Sequence, residues 1–405
     1  MLEESPPLVL IGASVRAFAA SARRAGWRVF AADLFSDLDL RDVAAATAWA
    51  RDFAAGYPEG LVAAAASFPP APFCYLGALE NHPGVIRAVA RTRSLLGSPP
   101  AAVATVRDPW SLRRLARDAG LECPELYRDP HGLPRDGSFL RKPVASAGGR
   151  GVVPWNADAR PTADACVWQR RIAGEAWSAA YVASAAEGRL VGASRQLTGE
   201  DWCHARPFAY CGSIDVPLDA LPHDLRRQFL ALASPLAACG LRGAIGADFV
   251  VGADGAAWVV EVNPRPTASM ELVERTTGVS IAAAHVAACG GPAGRSPAPR
   301  PCPRRWAKAI LYAPRSLAIA ADQIAAVVAR RRLWSDGTDL PAIADIPPPG
   351  RTVAAGGPLC TLFAAGGTEA EAVARLHERA AALTVVFSPP DGAAAPPAVI
   401  PDCIP

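Results

Sequence analysis

Two apolar segments joined by a short turn carry three oxygen-bearing side chains. Asp248 lies on the first segment, and Glu261 and Asn263 lie on the second. Glu261 and Asn263 are two positions apart, so on a strand their side chains point to the same face. Two carboxylates and an amide oxygen on one face are typical of a Mg²⁺ site, with Mn²⁺ as the substitute, because this hard cation takes its remaining ligands from phosphate and water. Arg265, two positions further on, can then meet a phosphoryl oxygen through its forked guanidinium.

A lysine followed by a glycine-rich loop is the second candidate site. Lys142 ends a predicted strand, and the loop after it contains Ser146, Gly148, Gly149 and Gly151. Glycine permits positive φ and close approach, so backbone N–H groups can surround phosphate oxygens beside the lysine charge. An ordinary glycine-rich hairpin has the same composition. The loop also differs from the strand–GxxxxGKS/T–helix motif, because here the lysine precedes the glycines.

A third segment, residues 167–178, contains a strand end followed by a polar stretch. Exposed backbone at such a strand end can hydrogen-bond an adenine, and Glu175 can accept the hydroxyl groups of a ribose. The residues concerned are Gln169, Arg170, Arg171 and Ile172. By itself this segment is weak evidence for a nucleotide site, and a structural interpretation fits it better.

The elements before these segments predict a doubly wound α/β domain. An apolar strand at 8–14 enters a turn at Gly12, a helical pattern follows at 15–26, and a second strand at 27–35 contains Asp33. The turn has one glycine instead of GxGxxG, which argues against a nicotinamide-dependent oxidoreductase. The predicted organisation is a Rossmann-like domain at 1–104, a second domain at 105–290 with a glycine-loop lid at about 125–180, a linker at 291–305, a small β-rich domain at 306–388 and a frayed tail at 389–405. Within the β-rich domain, 384–387 is predicted as a strand that follows a helix at 368–383.

Composition excludes several other classes of protein. The formal net charge is +3, so no strong field recruits nucleic acid or an anionic membrane. The ten cysteines include no CxxC pair, which argues against structural zinc and for reduced thiols. No basic signal segment begins the sequence, and its apolar runs are too short to span a bilayer. We therefore expect a cytoplasmic protein without nucleic-acid or membrane partners.

In this order and spacing, the lysine with its glycine loop (142–151), the hinge (169–175) and the Asp…Glu-x-Asn hairpin (248–263) resemble the ATP-grasp superfamily. EVNPRP at 261–266 is the most specific piece of the resemblance. The phrases GALENHP (77–83), RDP (107–109) and EVNPRPTASMEL (261–272) are similar to a branch of predicted ATP-dependent carboligases that includes the tyramine–glutamate ligase of methanofuran synthesis. The tail at 307–364 is similar to the small β-rich domain of biotin-carboxylase-like members.

The resemblance implies an α/β fold with ATP-grasp architecture, which an N-terminal Rossmann-like domain precedes and a small β-rich domain follows. It implies that ATP and Mg²⁺ are bound as follows: Lys142 on the α- and β-phosphates with the glycine loop as a lid, Gln169 to Ile172 on adenine, Glu175 on ribose, Asp248, Glu261 and Asn263 on the metal, and Arg265 on the γ-phosphate. Many members have a second lysine before the 111–120 helix. Here the nearest basic residue is Arg107, which is not interchangeable with lysine.

The reaction implied is the ligation of a carboxylate to an amine through an acyl phosphate, with release of ADP and phosphate. Glutamate joined to an amine in methanofuran-type C1-cofactor biosynthesis is the closest match. The alternatives are a biotin-carboxylase-like enzyme and an ATP-binding regulatory protein without turnover. Substrate contacts are expected at Glu80, Asn81, Ser269 and Arg206, the partners are small-molecule acids and amines, and a homodimer is compatible with the resemblance.

Overall fold

The computed structural model describes residues 5–159, 165–294, 301–334, 336, 338 and 340–388. The predicted tail at 389–405 and part of the predicted linker therefore lie outside the described residues. No helix in the described part of the chain is long and apolar enough to cross a membrane.

The strands are β1 (Pro7–Ile11), β2 (Arg28–Asp33), β3 (Ala46–Trp49), β4 (Phe73–Tyr75), β5 (Leu126–Tyr127), β6 (Asp136–Pro143), β7 (Val153–Asn156), β8 (Cys166–Arg170), β9 (Glu175–Ala183), β10 (Gly188–Thr198), β11 (Tyr210–Val216), β12 (Gly243–Val251), β13 (Ala257–Asn263), β14 (Arg305–Tyr312), β15 (Leu317–Ala318), β16 (Ile343–Ala344), β17 (Thr352–Val353) and β18 (Pro358–Gly366). The helices are α1 (Arg16–Arg24), α2 (Leu38–Val43), α3 (Gly60–Ala66), α4 (Pro83–Ala90), α5 (Pro100–Arg107), α6 (Pro109–Asp118), α7 (His223–Ala238), α8 (Met270–Thr277), α9 (Ile281–Ala288), α10 (Ala321–Leu333) and α11 (Glu369–Phe387).

The N-terminal part is a parallel sheet in the order β3-β2-β1-β4. Apolar side chains cover both of its faces, with α1 and α9 on one side and α3 and α4 on the other. Burial on both faces explains why β1 is a continuous apolar run and not an alternating one. A Cβ on Gly12 would lie 2.6 Å from the carbonyl oxygen of Leu76, so the turn after β1 requires glycine. The predicted doubly wound arrangement is confirmed.

The central sheet has eight strands in the order β13-β12-β9-β10-β11-β14-β18-β16, and every pair is antiparallel. One face buries aromatic and aliphatic side chains against α6 and α7, among them Trp177, Phe229 and Phe249. The pleat sends alternate side chains to the opposite face, so that face is free to carry polar groups. A second antiparallel sheet, in the order β5-β8-β6-β7, carries Lys142 at the end of β6.

Strands β14 and β18 of the predicted C-terminal domain extend the central sheet, because β14 pairs with β11. The domain boundaries themselves remain predictions. The strand predicted at 384–387 is wrong: these residues form the last turn of α11. Leu376, Ala380, Leu383 and Phe387 recur at helical spacing and are all buried, so their packing outweighs the strand preference of the threonine and valines between them.

Candidate active site

A row of polar side chains crosses the face of the central sheet that is opposite to α6 and α7. Asp248 on β12 lies directly opposite Glu261 on β13, and opposite Ser178 on β9 on its other side. Residues opposite each other in an antiparallel pair have their Cβ atoms about 4.5–5.5 Å apart on one face. Asn263, two positions after Glu261, shares that face. The strand register therefore brings the three predicted metal ligands together.

Asp248 is held by two amide donors. Gln196 Nε2 donates to Asp248 Oδ1 at 2.7 Å, and Asn263 Nδ2 donates to Asp248 Oδ2 at 2.9 Å. Burial and repulsion from the Glu261 carboxylate raise the pKa of Asp248 to about 6. Two carboxylates forced together in this way favour a cation between them.

Glu261 faces the positive side of the site. Its Oε1 forms an ion pair with Arg107 Nη1. Burial acts to raise the pKa of Glu261, but the charges of Arg107 and Lys142 outweigh burial and hold it below its usual range. Glu261 therefore stays ionised. Arg107 therefore contacts the acidic hairpin directly.

Lys142 lies above this hairpin. Its Nζ donates to Gln169 Oε1 at 3.0 Å and lies 3.4 Å from the carbonyl oxygen of Val260. Burial lowers the pKa of Lys142, and the neighbouring Glu261 opposes this effect. The β6–β8 pairing produces the arrangement, since Lys142 lies opposite Val167 and Leu140 lies opposite Gln169.

The glycine loop lies against β11 and its preceding turn. The carbonyl oxygen of Gly148 accepts a hydrogen bond from the Tyr210 amide at 3.0 Å. The carbonyl oxygen of Ser146 accepts hydrogen bonds from Asn81 Nδ2 at 3.2 Å and Arg107 Nη2 at 3.1 Å. Arg107 Nη2 also lies 3.0 Å from Asn81 Oδ1, so the loop, the Rossmann-like domain and the acidic hairpin meet at one arginine.

Three glycines of the loop have left-handed backbone: Gly148, Gly149 and Gly151 have φ of 62°, 78° and 75°. A Cβ on Gly149 would overlap the carbonyl oxygen of Phe208, whereas a Cβ on Gly148 would meet nothing within 4 Å. Gly149 is therefore required both by its conformation and by its close approach to the turn before β11.

Arg265 is anchored by a buried carboxylate. Its guanidinium pairs with Glu80 at 2.8 Å, and the Glu80 side chain is fully buried. Arg265 Nη2 lies 3.5 Å from Asn263 Oδ1, so the same guanidinium reaches the hairpin. Behind it, the Tyr75 hydroxyl donates to the carbonyl oxygen of Pro264 at 2.7 Å, which ties the end of β13 to β4. Glu80, proposed from the sequence as a substrate contact, is here the partner of Arg265.

The remaining predicted residues lie at varying distances from this centre. Gln169 is buried beside Lys142, whereas Arg170 is exposed and Arg171 lies over the Phe208 ring at 5.7 Å. Glu175 is exposed and lies 3.9 Å from Arg195. The other three sites are as follows: Ile172 is half-buried in the turn after β8, the Ser269 hydroxyl lies within 3.1 Å of Thr267 and 3.4 Å of Ser178, and Arg206 donates to the carbonyl oxygen of Ala355 at 3.0 Å.

Gln196 and Ser178 are functional candidates that sequence reasoning missed. Both surround Asp248, yet they lie 52 and 70 positions away from it in sequence. They occupy β10 and β9, and no local spacing connects them with the Asp248 hairpin. The alternation of Ser194, Gln196 and Thr198 along β10 could point to Gln196, whereas Ser178 lies in an otherwise apolar stretch of β9 and gives no such signal.

The donor set fits Mg²⁺. The chain offers two carboxylates and one amide oxygen, all hard ligands of the kind that Mg²⁺ prefers, and the two carboxylates lie opposite each other on neighbouring strands. Among the described residues no group of three or more histidine, cysteine, aspartate or glutamate side chains could hold a metal. The site therefore depends on the Asn263 amide and on ligands from outside the protein.

Residues 106–269 match the family model of an ATP-grasp domain. The matched range contains the glycine loop, the acidic hairpin and Arg107. It also includes β6 to β13, which carry Lys142, Gln169, Asp248, Glu261 and Asn263, and it extends to Arg265 and Ser269. The chain therefore contains an ATP-grasp domain. A comparison with curated proteins finds no match.

Solved structures resemble the chain over nearly its whole length. An L-amino acid ligase from Bacillus licheniformis is 15% identical with a TM-score of 0.66, covering 93% of this chain and 97% of its own. A carboxyaminoimidazole ribonucleotide synthase from Aspergillus clavatus, solved with ATP, is 15% identical with a TM-score of 0.65 and covers 95% and 100%. A biotin carboxylase from Campylobacter jejuni is 14% identical with a TM-score of 0.64 and covers 91% and 89%. These similarities establish the ATP-grasp fold for the Rossmann-like, central and C-terminal parts together.

Proposed function

We propose that this protein is an ATP-dependent ligase that joins a carboxylate to an amine. The observation that carries the proposal is the convergence of Asp248, Glu261 and Asn263 on one face of the sheet, opposite three cationic side chains. Those cations, Lys142, Arg107 and Arg265, contact the hairpin or its partner residues directly. Such a site suits phosphoryl transfer, which depends mainly on positioning and charge neutralisation.

In the proposed reaction a carboxylate oxygen attacks the γ-phosphorus of ATP, and the bond to the β–γ bridging oxygen breaks to release ADP. The amine nitrogen then attacks the acyl carbon, phosphate leaves with the electron pair of the C–O bond, and the nitrogen loses a proton to give the amide. Lys142 and the glycine loop bind the phosphates, and Arg265 lies where it can neutralise the transferred group. The closed loop excludes water from the acyl phosphate.

Asp248, Glu261 and Asn263 would hold Mg²⁺, which would neutralise charge on the triphosphate when bound. Gln196 keeps the Asp248 carboxylate oriented, and Arg107 keeps Glu261 ionised and in place. The buried Glu80 holds the Arg265 guanidinium toward the same face. These roles are the same for any acid and amine that the enzyme joins.

Glutamate is the acid to test first, because the phrases at 77–83 and 261–272 resemble the carboligase branch that includes tyramine–glutamate ligase. The second candidate is carboxylation in the manner of biotin carboxylase, which the similarity of the whole chain to that enzyme favours. An ATP-binding protein without turnover is the third reading, and the complete acidic hairpin argues against it.

The test is an assay of purified protein with Mg·ATP, hydroxylamine and a panel of carboxylic acids that includes L-glutamate. Hydroxamate together with ADP would support the acyl-phosphate mechanism and name the acid. AMP instead of ADP would contradict it, and bicarbonate-dependent ADP release would favour carboxylation. The variants Glu261→Gln and Lys142→Ala are expected to lose turnover. Asp254→Asn is the matched control, because Asp254 lies in the exposed turn of the same hairpin.

A further inference from the structure

A partly open cavity of about 260 Å³ lies beside Arg265. Three parts of the chain build it: Arg16 and Asp37 from the Rossmann-like domain, the segment after Asn263, and Lys308 and Asp345 from the C-terminal part. Pockets for drug-sized ligands are commonly about 300–1,000 Å³, so this cavity suits a small molecule. Its position next to Arg265 makes it the natural place for a second substrate of the proposed ligase.

Much of the cavity wall is apolar. It is lined by Phe18, Leu76, Met270, Ile310 and Leu359, which come from the same three parts of the chain. An apolar wall favours a substrate with a hydrocarbon or aromatic body, because burying such a body against the wall removes apolar surface from water. Recognition of a polar end must then come from the charged groups of the wall.

The cations of the wall already have partners. Arg16 pairs with Glu271 at 2.5 Å and with Asp345 at 2.8 Å. Lys308 pairs with Glu271 at 3.0 Å and donates to the carbonyl oxygen of Ala268 at 3.0 Å. The two positive and two negative side chains neutralise one another's charge, so none of the four needs a further counter-ion.

Asp37 is the exception. Its residue is only 4% exposed, it lines the cavity, and no described residue forms a hydrogen bond or ion pair with its carboxylate. Burial raises the pKa of Asp37, and repulsion from Asp345, Asp33 and Asp39 raises it further, while Arg351 acts in the opposite direction. An anion in this position is stabilised by a cation that arrives with the substrate.

We propose that the cavity binds the amine substrate as an apolar molecule with a primary ammonium group, and that Asp37 accepts that ammonium beside Asp345. That the bound amine is a substrate depends on the proposed function, whereas the claim that an amine binds here depends only on the cavity. Asp37 sets the specificity for a charged amine over a neutral compound of the same shape. The apolar wall selects the body of the molecule.

Direct binding tests the proposal without catalysis. The probes are n-hexylamine with 1-hexanol, and benzylamine with benzyl alcohol, titrated into the full chain in the presence of EDTA. We expect each amine to bind at least about tenfold more tightly than its alcohol, because a charge-assisted contact at a buried site contributes this much. In Asp37→Asn the preference should disappear. Asp42→Asn, an exposed carboxylate on α2, should keep it.

Asp37→Asn should fold, since it removes a buried charge that has like charges around it, and its melting temperature checks this. A variant that unfolds is replaced by Asp37→Glu, which keeps the charge and should keep the preference for amines. Equal binding of amine and alcohol by the wild-type chain would overturn the proposal. So would a preference that survives in folded Asp37→Asn.

Kinetics separate this proposal from the proposed function. Hydroxylamine is small and uncharged near neutral pH, so it can trap an acyl phosphate without an ammonium subsite. If hydroxamate forms, Asp37→Asn should lower the ratio of kcat/KM for the amine to that for hydroxylamine by at least about tenfold. An unchanged ratio would contradict the role of Asp37. If no acid of the panel gives hydroxamate, the result counts against the proposed ligase. The binding titrations would still show whether Asp37 accepts an ammonium group.

Discussion

Replacing single glycines of the 144–151 loop distinguishes a loop that closes against β11 from one that is merely flexible. Gly148 and Gly149 have similar φ, 62° and 78°, so alanine at either position costs about 1–2 kcal/mol for left-handed backbone. This penalty alone corresponds to about a 5- to 30-fold loss in kcat/KM for ATP if the closed loop is the reactive state. At Gly148 nothing lies within 4 Å of the added Cβ, so the loss should stop there.

At Gly149 the added Cβ would overlap the carbonyl oxygen of Phe208. The loop or the β11 turn must then move, and the hydrogen bond from the Tyr210 amide to Gly148 must lengthen or break. Loss of this hydrogen bond adds about 1 kcal/mol to the strain, so Gly149→Ala should lose about 30- to 150-fold in kcat/KM for ATP. The assay is ADP release at limiting ATP, with the melting temperature as the control for folding. Equal losses in the two variants would refute the close approach as part of the reactive state.

Three further results are expected. Arg107→Ala should reduce kcat/KM for ATP by about 100-fold in the ADP-release assay, because it frees both Glu261 and the loop, and Arg107→Lys should recover only part of the loss since lysine cannot contact both. Arg265→Ala should lose turnover, and urea unfolding should show a loss of about 3–5 kcal/mol of stability because Glu80 is left buried and unpaired. The double variant Arg265→Met with Glu80→Gln should regain stability without activity. Turnover by the double variant would exclude a role of Arg265 in catalysis. Burial raises the pKa of the Asp215 carboxyl to about 6, so the folded state keeps this proton to a higher pH than the unfolded state does. The free energy of unfolding should therefore fall by about 3 kcal/mol as the pH rises from about 4 to 6. In urea titrations Asp215→Asn should flatten this slope, and Asp219→Asn, at an exposed position, should not.

Local pattern was enough to predict the parts of the site that lie close together in sequence. Glu261, Asn263 and Arg265 share a face because a strand repeats every two residues, and this periodicity is visible without a structure. The left-handed glycines after Lys142 are likewise a local property, since glycine alone adopts positive φ without strain. The helix that contains residues 384–387 shows the limit of local preference, because burial at helical spacing decided it.

The sequence by itself predicted which side chains are candidates to bind a metal and phosphates, and that strands and a glycine loop carry them. Only the tertiary structure decided which distant groups complete the site. Gln196 reaches Asp248 through the register of the central sheet, and Arg107 reaches Glu261 through the packing of α5. The unpaired Asp37 meets Asp345, more than 300 positions away, in one cavity. Such pairings depend on how strands and helices pack, and the free energy of packing is shared among many weak contacts that no short segment records.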